Sequence, residues 1–575
     1  MIDKALKISC ERLIAECSPD GSWRGRLSAS AVSTAVAAFA LARLRPESDK
    51  ARAACKWLAA NINEDNGWGD TPESPSNLTA TLLAKAALTT QLDLAEIQNA
   101  QTLSDQFLND NIGGISPEHI NTGVLKAYGK DRTFSAPILT MCAMAGMLGE
   151  ESECWKTIPR LPFEIAALPR GLFRLMNLPV VSYAIPALIA VGLVRFRKTE
   201  KKAFSFIHNT IIIPCALRRL RAMAPESGGF LEAAPLTGFV AMCLGEAGLS
   251  NDPVIQRALG FLETSIREDG SCPIDTDLSS WLTSLAASAL IEADSLSDEK
   301  RNELIEVIRS RQTNTIHPFT GAKPGGWGWT DFSGSVPDSD DTAAALIALA
   351  RLAPGKASRE VIAGLKWLLK LMNRDGGIPT FCKGWGVLPF DRSCPDISGH
   401  AFKAFVLWRE HVPSKLADKL DSAITKLLDF LHNSRDKEQI WAPLWFGDQN
   451  AKNKTNRVYG TSVVLESLAG YPNIEYLTKP ALDWLCKARN EQGKWGGEAD
   501  SKAIFETSAK AISALSLYPQ TKEFAQESAK ILAAEIIEKD ALIKSSPIGL
   551  YFASLWYDEE LYPLVFAIPA LSRSI

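Results

Sequence analysis

The chain has 575 residues, 46% apolar and 22% charged, with 62 basic against 66 acidic side chains. That length suits several domains and that balance suits packed globular cores, which excludes disordered, collagenous and low-complexity architectures. A net charge of -4 with no basic surplus argues against nucleic acid as a partner. The opening residues Met1 to Lys7 lack the apolar core of a signal peptide, and the eleven cysteines are irregularly spaced without a C-x-x-C pair. They read as free thiols of a reducing cytosol rather than a zinc ribbon. The oddity is aromatic: 15 Trp and 23 Phe beside 9 Tyr.

Along the chain a small-residue turn recurs at intervals of roughly 40 to 60 residues, the period of stacked or closed arrays. The copies are Asp20-Gly21-Ser22-Trp23, Asn66-Gly67-Trp68-Gly69, Ile112-Gly113-Gly114 and Ser227-Gly228-Gly229-Phe230. They continue at Asp269-Gly270-Ser271, Gly325-Gly326-Trp327-Gly328, Asp375-Gly376-Gly377 and Gln492-Gly493-Lys494-Trp495, with Trp441 marking a degenerate copy. An amphipathic helix precedes each turn, as in Ile255, Leu259, Leu262 and Ile266, or Val361, Leu365, Leu368 and Met372. A helix of small and apolar residues follows, as in Ser30 to Leu41, Leu78 to Ala87, Leu278 to Ile291, Thr342 to Ala350 and Ser462 to Ala469. A helix apolar nearly all round is buried on both sides. The alternation therefore predicts outer helices around inner ones, an all-α fold of α/α-toroids. The number of repeats asks for two rings, and no alternation of period 2 lasts long enough to build a sheet.

Leu178 to Val194 interrupts the repeat with 17 uncharged residues containing Pro179 and Pro186. It is short for a spanning helix, which needs about 20 apolar residues. A buried core helix, a membrane-surface contact and a membrane span all stay open here. A second apolar patch holds Phe204, Phe206, Ile207, Ile211, Ile212, Ile213 and Pro214, with Arg218, Arg219 and Arg221 behind it. Such a patch suits a helix lying in a membrane interface or a contact between the rings.

The sharpest signal is Pro337-Asp338-Ser339-Asp340-Asp341-Thr342-Ala343. Three carboxylates in four residues open an inner helix. One Asp would suffice as an N-cap, and three beside an apolar helix are costly to desolvate. Their titration is coupled, so at least one is expected to hold a proton at neutral pH. Trp281 begins the inner helix one repeat earlier and His400 the one after, so both can approach the acids. Trp329 precedes the motif as a further wall residue.

These residues resemble the signature of the squalene–hopene cyclases, class II triterpene cyclases, and the Gly/Trp turns resemble that family's degenerate QW repeats. The resemblance runs from Trp23 to Trp556-Tyr557 and implies a monotopic membrane enzyme of two toroids, one inserted in the other. It implies residues 1–15 and 276–575 as the catalytic domain and 16–275 as the insert. Asp340 matches the proton donor, Asp338 and Asp341 its flanking carboxylates, His400 the histidine that sharpens its acidity, and Tyr459 the tyrosine linked to reprotonation. Trp281, Trp329, Phe381 and Trp445 match the cavity wall; Trp329 replaces a commoner phenylalanine and Tyr183 a commoner tryptophan. Pro389-Phe390 lies near the channel constriction. Tyr551, Phe552, Trp556 and Tyr557 stand in the C-terminal aromatic stretch without the family's usual spacing. Thr34 stands where a glutamate is expected.

The implied reaction is protonation of a terminal alkene of squalene or a related linear triterpene, then cyclisation through carbocations, needing no cofactor or metal. The implied setting is the cytoplasmic side of a membrane, bound peripherally, and the resemblance allows a homodimer. The physical reading agrees: aromatic faces stabilise a cation without offering a lone pair. Hydroxysqualene or a shorter polyprenyl chain remains an alternative substrate, and a non-catalytic toroid scaffold the alternative of a different class. An oxidosqualene cyclase would need a weaker acid, and a protein prenyltransferase subunit a zinc set that cannot be placed.

Overall fold

A computed structural model describes residues 1–129, 132–199, 206–542, 544–550 and 555–575. Among them, six apolar helices close a ring. Ser279–Glu292 packs on Ser339–Leu352, and the succession continues through Pro395–Trp408, Arg457–Leu468, Phe505–Leu515 and Tyr562–Arg573, which returns to the first. Outside it lie Asp298–Ser310, Arg359–Leu371, Ser414–Asn433, Glu475–Lys487 and Lys522–Lys539. The N-terminal helix Ile2–Ala15 packs on Lys522–Lys539 and Tyr562–Arg573 and completes this outer layer. A second ring is closed by Ala31–Leu44, Leu78–Leu88, Arg132–Met144, Val181–Thr199 and Ala234–Glu246.

Inner and outer helices differ as their sequences require. Every residue from Ala31 to Leu41 is buried, whereas Arg359–Leu371 buries Val361, Gly364, Leu365, Trp367 and Leu368 on one face. Each turn tryptophan ties the layers together. The indole N–H of Trp68 donates to Leu58 O at 2.9 Å, that of Trp441 to Leu431 O at 2.8 Å and that of Trp495 to Leu485 O at 2.8 Å. These bonds satisfy carbonyls at the C-terminal end of the preceding outer helix. The backbone N–H of the turn then donates to a hydroxyl of the next inner helix: Trp68 to Thr81, Trp327 to Thr342, Trp441 to Thr461 and Trp495 to Ser508. Trp441, the degenerate copy, makes the same pair of bonds.

Two turns serve helices far away in sequence. The Trp23 N–H donates to Thr283, and the Cys272 N–H to Thr34. The apolar side chains accordingly fall into two clusters, one from Ile2 to Trp23 plus Trp281 to Leu571, the other chiefly from Ala31 to Cys272. Thr34 is occupied by this turn-holding bond, which accounts for a hydroxyl at that position.

Leu178 to Val194 lies mostly in the inner helix Val181–Thr199, with Ile185, Ile189, Ala190 and Leu193 to Val194 buried. The core-helix reading therefore holds for it, and among the described residues no helix is long and apolar enough to cross a membrane. One small antiparallel sheet joins Phe446–Gly447, Ile548–Leu550 and Leu555–Tyr557. Strands of two or three residues are too short to leave a period in the sequence. All eleven cysteines are free.

Candidate active site

The acidic motif is held between two neighbouring turns. The Asp338 N–H donates to Trp327 O at 2.9 Å, and the Ser339 N–H to Thr380 O at 2.8 Å. Asp338 then caps Ser339–Leu352: its Oδ1 accepts from the N–H groups of Asp340 and Asp341, both at 2.9 Å. The helix dipole favours negative charge at this end. Asp338 and Asp341 are nearly inaccessible, at 3% and 7% exposure. Burial pushes Asp338 up to about 7, against hydrogen bonds from Asp341 that lower it, and pushes Asp341 well above the usual carboxylate range, where the charge of Asp338 adds to the rise. The pair therefore shares a proton, with Asp341 as its holder.

Asp340 points away from that pair. Its Oδ1 lies 2.5 Å from His400 Nδ1, on the neighbouring inner helix. Burial works against the imidazolium, but the charge and hydrogen bond of Asp340 raise the His400 pKa above its ordinary value. His400 thus favours the protonated form, which donates Nδ1–H to Asp340 and stabilises a carboxylate there. The side chains of Asp340 and His400 keep 14% and 18% of their surface although they sit inside the ring, so they line its interior. Asp396, four residues before His400 on the same helix, is pushed up to about 6 by burial and by Asp340. Sequence reading passed it over, though its i, i+4 spacing to His400 was available.

The expected wall residues gather in two groups. Trp281 lies beside His400, their rings 6.4 Å apart. Tyr183, Phe381, Phe390 and Trp445 form one cluster: Phe381 is 5.4 Å from Tyr183, 5.3 Å from Phe390 and 5.4 Å from Trp445. Tyr183 comes from one ring and the other three from its neighbour, and the Tyr183 hydroxyl donates to Phe381 O at 3.3 Å. Trp329 joins edge-on, 6.3 Å from Phe381. Tyr459 lies tilted against Phe446, 5.0 Å between rings, and beneath Lys510, and no direct hydrogen bond joins it to Asp340 or His400 among the described residues. Trp556 and Tyr557 are successive strand residues and face opposite ways. The Trp556 backbone N–H is tied to Asp70 at 2.9 Å, while Tyr557 meets Tyr562 at 3.5 Å between hydroxyls. Tyr551 and Phe552 lie outside the described residues.

Besides Asp396, the structure adds two further acids that sequence reading missed. Asp275 bridges to Ala233 and accepts the Thr276 N–H at 2.8 Å on Oδ1. Burial, then Glu232, pushes it far above the usual range. Glu232 is buried, accepting from Ser227 Oγ at 2.6 Å, from the Gly334 N–H at 2.6 Å and from Thr276 Oγ1 at 3.2 Å. Leu231 and Glu232 both have left-handed φ, 56° and 51°, at a cost of roughly 1 kcal/mol or more each for residues with a Cβ. Gly334 is required by this close approach, since a Cβ there would lie 2.1 Å from Gly229 O. The available signal was the pair Asp275 and Asp277: Asp277 accepts the Ser279 N–H at 3.0 Å, and Asp275 is left without a capping task.

The paired toroids thus hold a capped aspartate triad beside an aromatic interior. Residues 279–522 match the squalene-hopene cyclase C-terminal domain, and residues 29–124 the prenyltransferase alpha-alpha toroid domain. The chain is 25% identical over 569 residues to enfumafungin synthase of Hormonema carpetanum, covering 83% of this chain and 41% of that one. It is 26% identical over 216 residues to a squalene hopane cyclase of Aspergillus fumigatus, covering 30% of this chain and 28% of that one. The solved ent-copalyl diphosphate synthase from Streptomyces platensis shares the fold, with a TM-score of 0.64 and 17% identity over 100% of this chain and 99% of that one. The relatives of this chain thus include triterpene cyclases, and it spans less than half the length of the curated ones it matches.

Proposed function

We propose that this chain is a class II cyclase that protonates a terminal alkene of squalene or a closely related linear triterpene. One observation carries the reading: Asp340 sits 2.5 Å from His400 at the mouth of an inner helix, inside an aromatic-lined interior. An alkene is a very weak base, so its acid must be strong and its conjugate base stabilised as it forms. In this mechanism the oxygen of Asp340 that does not bind His400 delivers the proton. The carboxylate left behind is held by the His400 N–H and by the helix dipole. Asp341 and Asp338, sharing a proton, hold the helix end without adding a full second charge beside it. The carbocation then passes along the folded polyene against Trp281, Trp329, Phe381 and Trp445, whose faces stabilise it by about 2 kcal/mol each when desolvated. Tyr459 is assigned to returning a proton to Asp340 through water.

The proposed catalytic unit is residues 1–15 with 276–575, and 16–275 its insert. The bond from Cys272 to Thr34 joins the two ends of the insert, whereas Trp23, bonded to Thr283 and packed in the first cluster, sides with the catalytic unit. The substrate is an insoluble hydrocarbon, so the enzyme is proposed to bind one membrane face, on the cytoplasmic side, and draw it from the leaflet. Phe206, Ile207 and Ile211 support this by being 76%, 60% and 64% exposed, and Trp385, Val387 and Leu388 extend the apolar surface. The Trp385 indole donates to Met176 O, which joins that stretch to the exposed Leu175 and Met176 of the other ring. Ile213 does not belong to the patch: it is buried in the ring core. Phe204 lies outside the described residues. Arg219 and Arg221 are engaged by Ala166 O and by Asp252.

The test is incubation of detergent-solubilised protein with squalene, with hydroxysqualene and with a shorter polyprene, products being read by mass spectrometry. Cyclic products from any of them support the reading. Recovery of all three unchanged by folded protein refutes it.

A further inference from the structure

We infer that Thr380 is a positioning residue for the cavity wall: its hydroxyl fixes the Trp445 indole, and its carbonyl, held by Ser339, fixes that wall to the helix of the acid. The inference rests on the cyclase reading above and deepens it, because it names what holds the wall while the cation moves.

Trp445 is held differently from the tryptophans of the repeat. The indoles of Trp68, Trp441 and Trp495 donate to backbone carbonyls of outer helices, acceptors that no substitution removes. The Trp445 indole instead donates to a side-chain hydroxyl, Thr380 Oγ1. Thr380 is buried, at 5% exposure, so the N–H edge of the ring is turned into the protein. With that edge pinned, the ring crosses Phe381 at 74° and Phe390 at 84°, with centroids 5.4 Å and 5.8 Å away.

The segment that carries Thr380 joins the two helices of the acid pair. Ser339, between Asp338 and Asp340, is wholly buried. Its N–H donates to Thr380 O at 2.8 Å, and its hydroxyl to Pro379 O at 2.6 Å and Thr380 O at 3.0 Å. Asp338 already caps this helix, so the serine hydroxyl is spent on the neighbouring turn. On the other side, the Ile378 N–H donates to Ser398 Oγ at 2.9 Å and the Cys394 N–H to Ile378 O at 3.0 Å, at the start of the helix of His400. Ile378 to Thr380 is therefore fixed against the helices of both Asp340 and His400, and Trp445 is tied to it through one hydroxyl.

The chemistry gives this bond its use. An aromatic ring is negative on its face and positive at its edge. The face alone stabilises a cation. An indole turned about its bond to the chain would offer the N–H edge, and a loosened one would leave the cation unshielded before the last ring closes. The bond thus bears on how far cyclisation runs rather than on the proton transfer that starts it.

Two measurements test this, one of them without the reaction. In protein carrying isotope-labelled tryptophan, the indole N–H resonance of Trp445 is identified by its loss in Trp445→Phe. It is expected to move in Thr380→Val and Thr380→Ala, which lack the acceptor, and to keep its wild-type place in Thr380→Ser. The second measurement incubates detergent-solubilised protein with squalene and reads the separated products by mass spectrometry. In Thr380→Val and Thr380→Ala, the share of products with fewer rings than the main wild-type product is expected to rise roughly fivefold, the scale of one hydrogen bond. Thr380→Ser is expected to restore the wild-type share. Total substrate consumed is expected to fall by no more than about threefold, because Asp340 and His400 are untouched. Adding Thr380→Val to Trp445→Phe is expected to change the share by less than about twofold, since both act through one bond. An unmoved Trp445 resonance in Thr380→Val, a wild-type product share in the folded valine and alanine variants, or full additivity with Trp445→Phe would each overturn the inference. A wild type that converts no polyene is a different failure: it refutes the cyclase reading and the positioning role with it, while the resonance still reports whether the bond exists.

Discussion

Asp340 and His400 carry different parts of the acid chemistry, and their variants separate them. Asp340→Asn keeps shape and the capped helix end but has no acidic proton. Cyclisation is expected to drop by roughly 10²–10⁴-fold or beyond detection, with melting temperature within a few degrees of wild type. A wild-type rate in folded Asp340→Asn protein would remove Asp340 from the role of donor. His400 acts by charge as well as by donation. Its pKa is raised, so the imidazolium is present below that value and lost as pH rises through it. Turnover is therefore expected to fall on the alkaline side with an apparent pKa above the ordinary histidine value. His400→Gln retains an N–H but no charge. It should run roughly 10²-fold slower, and that alkaline limb should disappear. A limb unchanged in the glutamine variant would place the titration elsewhere. Both residues were legible in sequence because the repeat places equivalent inner-helix positions side by side. Asp275 and Glu232 were not, since what distinguishes them is burial beside each other and the left-handed backbone of Glu232, neither of which leaves a residue pattern.

At the scale of the element, the turn tryptophan is the joint between layers. Trp495 is wholly buried, donates from its indole to Leu485 O and takes Ser508 through its backbone. Trp495→Phe leaves that carbonyl unpaired and is expected to cost about 1–3 kcal/mol in denaturant unfolding; Trp495→Ala, which also empties a cavity, about 3–5 kcal/mol. A cost near zero for both would show the joint to be redundant. The apolar helix around Ile211 makes a different demand. Replacing Phe206, Ile207 and Ile211 by Ser should lower liposome binding by roughly a thousandfold or more, each exposed side chain contributing about 1.5–3 kcal/mol when inserted, with little loss of thermal stability. Ile213→Ser should do the reverse, because that side chain is already buried. Loss of stability in the triple variant with unchanged liposome binding would refute the membrane patch. The helical period was readable along the whole chain, and with it the two rings. The partition inside the patch was not: Ile211 and Ile213 are alike in sequence, and only the turn of the helix decides which one meets solvent.

Across the whole molecule, pH couples folding to an unusual set of buried carboxyls. Burial pushes Glu559 up to about 8, Glu506 to about 7 and Asp70 to about 6, besides Asp338 and Asp396 at the acid site. Three of them hold the crossing segments: Glu559 accepts the Arg26 and Leu561 N–H groups, Glu506 that of Ser546 and Asp70 that of Trp556. Below about pH 4 these groups are protonated in both states. As pH rises from there toward 8, the unfolded chain releases their protons while the folded chain retains them, so stability falls. Glu466 runs the other way. Despite its burial, Lys510 and Arg573 hold it at about 2, so its contribution is complete above the unfolded value and is lost as pH falls toward 2. The two trends predict maximal stability near pH 4–5 and a decline through neutrality. Glu559→Gln keeps an acceptor for both N–H groups and removes the ionisation. It is expected to flatten the decline, stabilising the protein by roughly 2–4 kcal/mol at pH 8.5 and by under about 1 kcal/mol at pH 5. Melting temperatures of both proteins from pH 3 to 9 decide the matter. A wild-type curve that climbs steadily from pH 5 to 8, or a glutamine variant of the same slope, would show that Glu559 ionises freely in the fold and that the segments joining the rings are open to water.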